Sequence, residues 1–356
     1  MRTKVLLHQK PPATNMLCRM EPSLFQSQAT ATAKVKFSEL ETIRFALRAP
    51  HPIPYQGSKR LLAPAILAYL PKSPVRLLEP FAGAAAISIA AVLKGRADRV
   101  VLNDINEPLM RLWESIIESP ETIAKAYARL WKAQLGRQRD FYDAVRAKFN
   151  QTHKPHYLLY LLARCVKASV RYNSEGEFNQ SPDNRRLGMN PATMRSHILA
   201  ASRLLRGKAT LTIGDYQKTL ESAQPGDLVY MDPPYQGVSL NRDPRYISLL
   251  DFEAFTASLH NLNRRSVPFI LSYDGKTGDK SYGNPMPKVL NLVHIEIDAG
   301  RSPQATLLGR NHNTYESIYL SPGLIERTVG VSKTVSKGAR HRSWSYAAMA
   351  ARRPSQ

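Results

Sequence analysis

Between residues 51 and 330 the sequence predicts a doubly wound α/β sheet. Short segments rich in β-branched and apolar residues (VRLLEP, RVVLNDI, ATLTIGDY, DLVYMDPPY and VPFILSYD) alternate with helical ones, and each ends in a polar or turn cluster. The residues with the most chemical character fall at those strand ends, where ligands sit in sheets of this kind.

In chain order, residues 1–50 mix Pro, Thr, Gln and Ser and read as a partly disordered extension. Within them FSELETIRFALR predicts a short helix near 38–48, with Ser38 and Glu41 placed as a capping box. The first strand, VRLLEP, leads through a turn at Gly83 into the helical ISIAAVLKG, and RVVLNDI follows. Two helical runs near 107–133 then open a long, largely helical stretch that interrupts the alternation and reads as an inserted second domain over 111–210. It includes PHYLLYLLARCVKASVRY and is broken by the polar run NSEGEFNQSPDNRRLG. After it the alternation resumes with ATLTIGDY, DLVYMDPPY, the helical DFEAFTASLHNLNRR and VPFILSYD. The parent domain is thus expected from 51–110 and 211–330, followed by a basic, poorly ordered tail over 331–356.

A chain of 356 residues, 43% hydrophobic and 22% charged, describes a globular protein with a full core, and no apolar stretch reaches the length of a membrane span. The apolar run Val5 to Leu7 is too short for a signal peptide, so a cytoplasmic protein is expected. Cys18 and Cys165 stand far apart without a partner set at metal-ligand spacing, and His153 and His156 lack further donors, so no metal site is expected. The net charge of +22 favours a polyanionic partner, nucleic acid first. Residues 1–50 carry +5 and 331–356 carry +6, which leaves +11 on the folded part.

Three constellations carry chemistry. In LLEPFAGAAAISIA a strand ends at Glu79 and Pro80, Gly83 turns the chain, and a helix starts near Ala85 and presents free N–H groups. Asp104, 21 residues after Gly83 at the end of the next strand, suits the two hydroxyls of a ribose; the alternative is a helix N-cap before Glu107 and Pro108. In DLVYMDPPYQG, Asp232 followed by Pro233 and Pro234 forms an edge that accepts hydrogen bonds and donates none, suited to an exocyclic amino group. Tyr235 is placed to stack on the face of the base. Two hydrogen bonds taken from adenine N6 would favour a pyramidal nitrogen and free its lone pair. The third constellation, HPIPYQGSKRLLAPAIL, offers Lys59 to a carboxylate.

With these motifs in order, the chain resembles the Dam-type (D12 class) DNA adenine-N6 methyltransferases over about residues 51–322. PYQGSKR looks like their N-terminal cofactor motif, EPFAGAA their S-adenosylmethionine loop and NDIN their ribose-binding acid. VRYNSEGEFN resembles their target-domain segment, GDY the motif beside the cofactor's adenine ring, DPPY the catalytic motif and YESIYLS the closing strand. The resemblance implies a Rossmann-like, seven-stranded methyltransferase sheet with a helical target-recognition insert. It also implies methyl transfer from S-adenosylmethionine to N6 of a flipped-out adenine in double-stranded DNA, beside a cognate restriction endonuclease or alone. By the same resemblance Tyr55, Lys59, Glu79, Phe81, Gly83, Asp104, Asp215, Tyr216 and Asp232 would bind the cofactor, with Tyr55 and Lys59 at its amino-acid end. Asp232, Pro233, Pro234 and Tyr235 would be catalytic, and Lys167, Arg171, Asn173, Arg185 and Arg186 would contact DNA, Arg171 reading a guanine. The chain departs from the family where FAGAAA lacks a second glycine and where VKASVRYN replaces an aromatic-asparagine start.

Three other readings share the fold. A DNA cytosine-N4 methyltransferase would more often resemble SPPY at the catalytic motif, and an RNA adenine-N6 enzyme usually lacks the target segment. A nonenzymatic DNA-binding protein on this fold does not need the competent residues that fill each catalytic position.

Overall fold

In a computed structural model of the chain, residues 33–35, 49–234, 250–277, 280–282, 286–301 and 313–327 are described. The helix expected near 38–48, Tyr235 and the tail 331–356 lie outside these described residues.

The elements run β1 (Ala33–Val35), α1 (Ala63–Leu67), β2 (Val75–Glu79), α2 (Ala86–Leu93), β3 (Ala97–Asp104), α3 (Glu107–Glu118), α4 (Pro120–Ala133), α5 (Gln138–Thr152), α6 (Pro155–Arg164), α7 (Pro191–Leu205), β4 (Ala209–Ile213), α8 (Tyr216–Ser222), β5 (Leu228–Met231), α9 (Phe252–Arg264), β6 (Phe269–Thr277), β7 (Lys280–Tyr282), β8 (Val293–Arg301) and β9 (Asn313–Leu320). Seven of the strands form the body of one mixed sheet in the order β8-β9-β6-β5-β2-β3-β4, as expected of a Rossmann-like methyltransferase sheet. The three-residue β1 adds to β8, and β7 pairs with β6 off this path.

The central strands are continuous apolar runs because both faces of the sheet are covered. Along β2, Leu77 packs into one apolar cluster and Leu78 into the other, and both are fully buried. Along β5, Leu228 and Tyr230 alternate in the same way with Val229 and Met231. β2 pairs in parallel with β3 on one side and β5 on the other, β3 with β4, and β5 with β6. The chain therefore winds outward in opposite directions from the β2/β5 pair. The crevice beyond the carboxyl ends of these two strands is the switch point at which α/β sheets bind ligands. β9 closes the sheet antiparallel between β6 and β8.

The helices 107–205 sit between β3 and β4 in sequence. Asn106 starts α3: its Oδ1 accepts from Leu109 N at 3.2 Å, and a proline follows in the first turn. Leu109, Met110, Leu112, Trp113, Ile116 and Ile117 form the buried stripe of α3. One apolar cluster joins sheet residues such as Leu77, Leu102 and Ile270 to Tyr127, Phe149, Tyr160 and Met194 of these helices. The insert and the sheet thus share a core.

Candidate active site

At the switch point lies a cavity of about 740 Å³. Because β2, β3, β4 and β5 run parallel, their carboxyl ends deliver Glu79, Asp104, Asp215 and Asp232 to the same edge, and all four line it. Tyr55, Lys59, Phe81, Gly83, Tyr216, Pro233 and Pro234 line it as well. All nine residues expected to hold a cofactor, and three of the four expected to be catalytic, therefore face one space.

The turn after β2 is shaped by its backbone. Gly83 has φ +48°, and a Cβ there would come within 3.3 Å of the Tyr55 ring. Its carbonyl accepts from Trp113 Nε1 at 2.9 Å, which ties the turn to α3. The buried Asn103 holds the turn from behind, donating to the carbonyls of Pro80 (3.0 Å) and Gly214 (2.9 Å) and so joining the ends of β2, β3 and β4. Asp104 does not cap α3, a role taken by Asn106; its Oδ2 instead accepts from Gly83 N at 3.0 Å and its Oδ1 from Asn106 N at 2.9 Å. Burial raises its pKa, and these amide donors oppose the shift. Each of its oxygens keeps further acceptor capacity toward the cavity.

Phe81 and Tyr216 stack on each other with centroids 5.1 Å apart, and both pack edge-on against Phe255. Asp215 is exposed and caps α8 by accepting from Gln217 N at 2.8 Å.

Glu79 is buried at the base of the cavity, where its Oε2 accepts from Ser88 N at 3.1 Å. Burial, assisted by the negative charge of Asp232, pushes its pKa up to about 7 from an ordinary 4.5. The folded state thus holds a proton that the unfolded chain has already lost. The stabilising contribution of this group is full below about pH 4.5 and is lost as pH rises through 7. Glu79→Gln should therefore melt at higher temperature than the parent at pH 8, by on the order of 3 kcal/mol of stability, with the two converging near pH 5. Thermal melts across that range check it, and equal differences at both pH values would contradict it.

Asp232, just beyond β5, faces the buried Lys59, whose Nζ lies 2.9 Å from Asp232 Oδ1, 4.0 Å from Glu316 Oε2 and 3.3 Å from the Gly57 carbonyl. Lys59 thus lines the cavity with its charge directed at the DPPY carboxylate. Tyr230, two residues earlier, is buried with its hydroxyl 2.9 Å from Ser272 Oγ. Burial and the carboxylates of Asp232, Glu79 and Glu316 raise its pKa well above the ordinary value.

The five residues expected to contact DNA do not line this cavity. They lie on the stretch between α6 and α7, which touches the site at two places: Ser169 and Val170 form part of the cavity wall, and the Ala168 carbonyl accepts from Gln56 N at 3.0 Å. Lys167 stands in a 3-10 turn with φ +59°. A short hairpin follows, in which Asn179 N donates to the Arg171 carbonyl and Tyr172 bridges Phe178. Asn173 shapes its tip: Oδ1 accepts from the amides of Glu175 (3.1 Å) and Glu177 (2.8 Å), and Nδ2 donates to Glu177 Oε2 at 3.0 Å. Arg171 is exposed, and among the described residues no ion pair joins it to Glu175 or Glu177. Arg185 and Arg186 are exposed and both lean on the buried Asp183, at 3.2 and 3.1 Å.

Sequence reasoning missed Glu316, Tyr230, Asn106, Ser169 and Val170 as parts of the site. Glu316 alone left a signal, the one charged residue in the closing strand YESIYL.

A family model described as D12 class N6 adenine-specific DNA methyltransferase matches residues 55–295. The DNA N-6-adenine-methyltransferase of Escherichia phage P1 is 29% identical over 190 residues, covering 51% of this chain and 23% of that protein. The retron Ec67 DNA adenine methylase of Escherichia coli is 30% identical over 189 residues, 51% of this chain and 62% of that protein. The type II methyltransferase M1.LlaDCHI of Lactococcus lactis subsp. cremoris is 24% identical over 216 residues, 58% and 69%. The match thus spans less than two thirds of the length of the first two relatives.

Proposed function

Since the chain belongs to the D12 class N6 adenine-specific DNA methyltransferase family, we propose that it transfers a methyl group from S-adenosylmethionine to N6 of an adenine flipped out of double-stranded DNA. The observation that carries this reading is the sharing of one cavity by the Asp232-Pro233-Pro234 edge, the Gly83 turn and Asp104.

The lining fits the cofactor. The Gly83 turn leaves room where a Cβ would press on Tyr55, Asp104 presents acceptors to hydroxyls, and the two carboxylates beside the Lys59 ammonium, Asp232 and Glu316, suit a sulfonium cation. Tyr55 and Lys59 would hold the amino-acid end, Asp104 the ribose, and Asp215, Phe81 and Tyr216 the adenine ring. When bound, S-adenosylmethionine supplies an electrophilic methyl on a good leaving group, so the protein's task is to position and activate the acceptor. Asp232 accepts an N–H of the target amino group. Lys59 at 2.9 Å orients that carboxylate. Prolines at 233 and 234 remove competing donors from the same edge.

The helical insert 111–210 is the target-recognition region in this reading, with Arg171 at the bases and Lys167, Arg185 and Arg186 at phosphates. Asn173 serves by shaping the hairpin. No helix among the described residues is long and apolar enough to cross a membrane. DNA in the cytoplasm, with a cognate restriction endonuclease as a further partner, is the setting proposed; the type II name of the Lactococcus relative supports the latter. Expression in a host without adenine methylation, followed by methylation-sensitive sequencing of its DNA, should reveal N6-methyladenine in one sequence context. Methylation found on cytosine, or on RNA alone, would overturn the reading.

A further inference from the structure

Methylation of an amino nitrogen leaves one proton in excess, and Asp232 is a poor final resting place for it. Once protonated, it accepts N–H groups from the next adenine less well. A path leads away from it. Lys59 Nζ lies between Asp232 Oδ1 at 2.9 Å and Glu316 Oε2 at 4.0 Å, and Lys59 is only 8% exposed while both carboxylates are 22% exposed. Glu316 lines the same cavity from the middle of β9, where it stands opposite Gly275 of β6 and Ile297 of β8. The residues after it, Ser317 to Leu320, are buried. This places a second carboxylate beside the Lys59 ammonium at the same cavity.

We propose that Glu316 is the outlet for the proton that adenine N6 loses, receiving it from Asp232 through Lys59; this rests on the adenine methylation proposed above. The N6 lone pair forms the new N–C bond as the methyl–sulfur bond of the sulfonium breaks, its electron pair remaining on sulfur. One N6 proton then passes to Asp232. Asp232 hands it to Lys59 Nζ as Lys59 releases one of its own to Glu316 Oε2, so the lysine ends as the ammonium it was. Glu316 loses the proton to water and both carboxylates are restored. The 4.0 Å gap must close by about 1 Å to reach hydrogen-bond length, within reach of a side-chain torsion.

Glu316→Gln keeps the shape and removes the acceptor. Its single-turnover methylation of duplex DNA at neutral pH should fall at least about tenfold. Equilibrium binding of S-adenosylmethionine should hold, and added formate or imidazole should restore part of the rate. In the ligand-free protein, the Asp232 carboxyl followed by carbon NMR should titrate at lower pH in the variant, because a neighbouring negative charge is gone. Parental rates at every pH would overturn the proposal. So would a loss that no added base restores and that tracks weaker cofactor binding, since that marks a cofactor contact. Should Glu316→Gln fail to fold, Glu316→Asp carries the test: slower proton release in a dye-monitored single turnover supports the relay, and release at the parental rate overturns it. If the parent chain methylates no DNA adenine, the functional reading falls by itself, while the Asp232 titration still tests the coupling.

Discussion

Replacing Asp232 with alanine is expected to lower methyl transfer by on the order of 10³-fold while leaving duplex DNA binding nearly intact, because the loss falls on an interaction that matters most as the target nitrogen becomes pyramidal. Asp232 is the carboxylate at the end of β5 that faces the cavity, and Lys59 at 2.9 Å holds it there. Alanine also strips the buried Lys59 ammonium of the carboxylate at 2.9 Å, with Glu316 farther off at 4.0 Å, so some thermal stability should be lost too. Asp232→Asn separates the two effects. It keeps volume and one acceptor oxygen but loses the charge, so turnover should still collapse while the melting temperature moves less. Rates measured under single-turnover conditions, with DNA affinity taken separately, check this. Near-parental turnover in both variants would remove Asp232 from the chemistry.

How much of this site could be read in advance depends on how local each signal is. The strand ends were legible because the strands carry short runs rich in apolar and β-branched residues, fully buried only in β5, and Glu79, Asp104, Asp215 and Asp232 each stand one or two residues from where such a run stops. Parallel pairing then guarantees that they share an edge. Glu316 was hidden because its meaning comes from β9, which closes the sheet at a distance in sequence, and from Lys59, which lies before the first strand of the core and is buried only by tertiary packing. Ser169 and Val170 were hidden for a related reason: the segment after α6 folds back on residues 55–59, a contact that no periodicity encodes. At position 104 the sequence left a cap and a ribose ligand both open. The structure removes the cap, since the Asn106 side chain caps α3 and Asp104 turns toward Gly83. Likewise the polar run after Arg171 read as a turn, but only the fold shows that Asn173 braces it.

Arg171→Ala is expected to relax the choice of base at one position of the recognition site and to cost about 1 to 3 kcal/mol on the preferred sequence, the worth of a paired contact to guanine O6 and N7. The hairpin geometry favours this role over a bracing one. Tyr172 turns inward, its hydroxyl 3.3 Å from Asn106 Oδ1 and its ring edge-on to Phe178, and burial lifts its pKa to about 12. Val170 lies on the cavity wall. Arg171, between these two inward-turned neighbours, is itself exposed to solvent. The bracing that an ion pair with Glu175 or Glu177 would provide is supplied by Asn173 and by the backbone bonds of the hairpin. Truncating Arg171 should therefore leave the melting temperature unchanged. Truncating Asn173 should lower it and weaken activity on every sequence alike. Methylation profiling of both variants on a randomised duplex library distinguishes the roles: Arg171→Ala should broaden the sequence preference at one base pair, and Asn173→Ala should keep the preference at a reduced rate. An unchanged preference in Arg171→Ala would remove Arg171 as the reader and move the search to other exposed cations of the insert, such as Lys167.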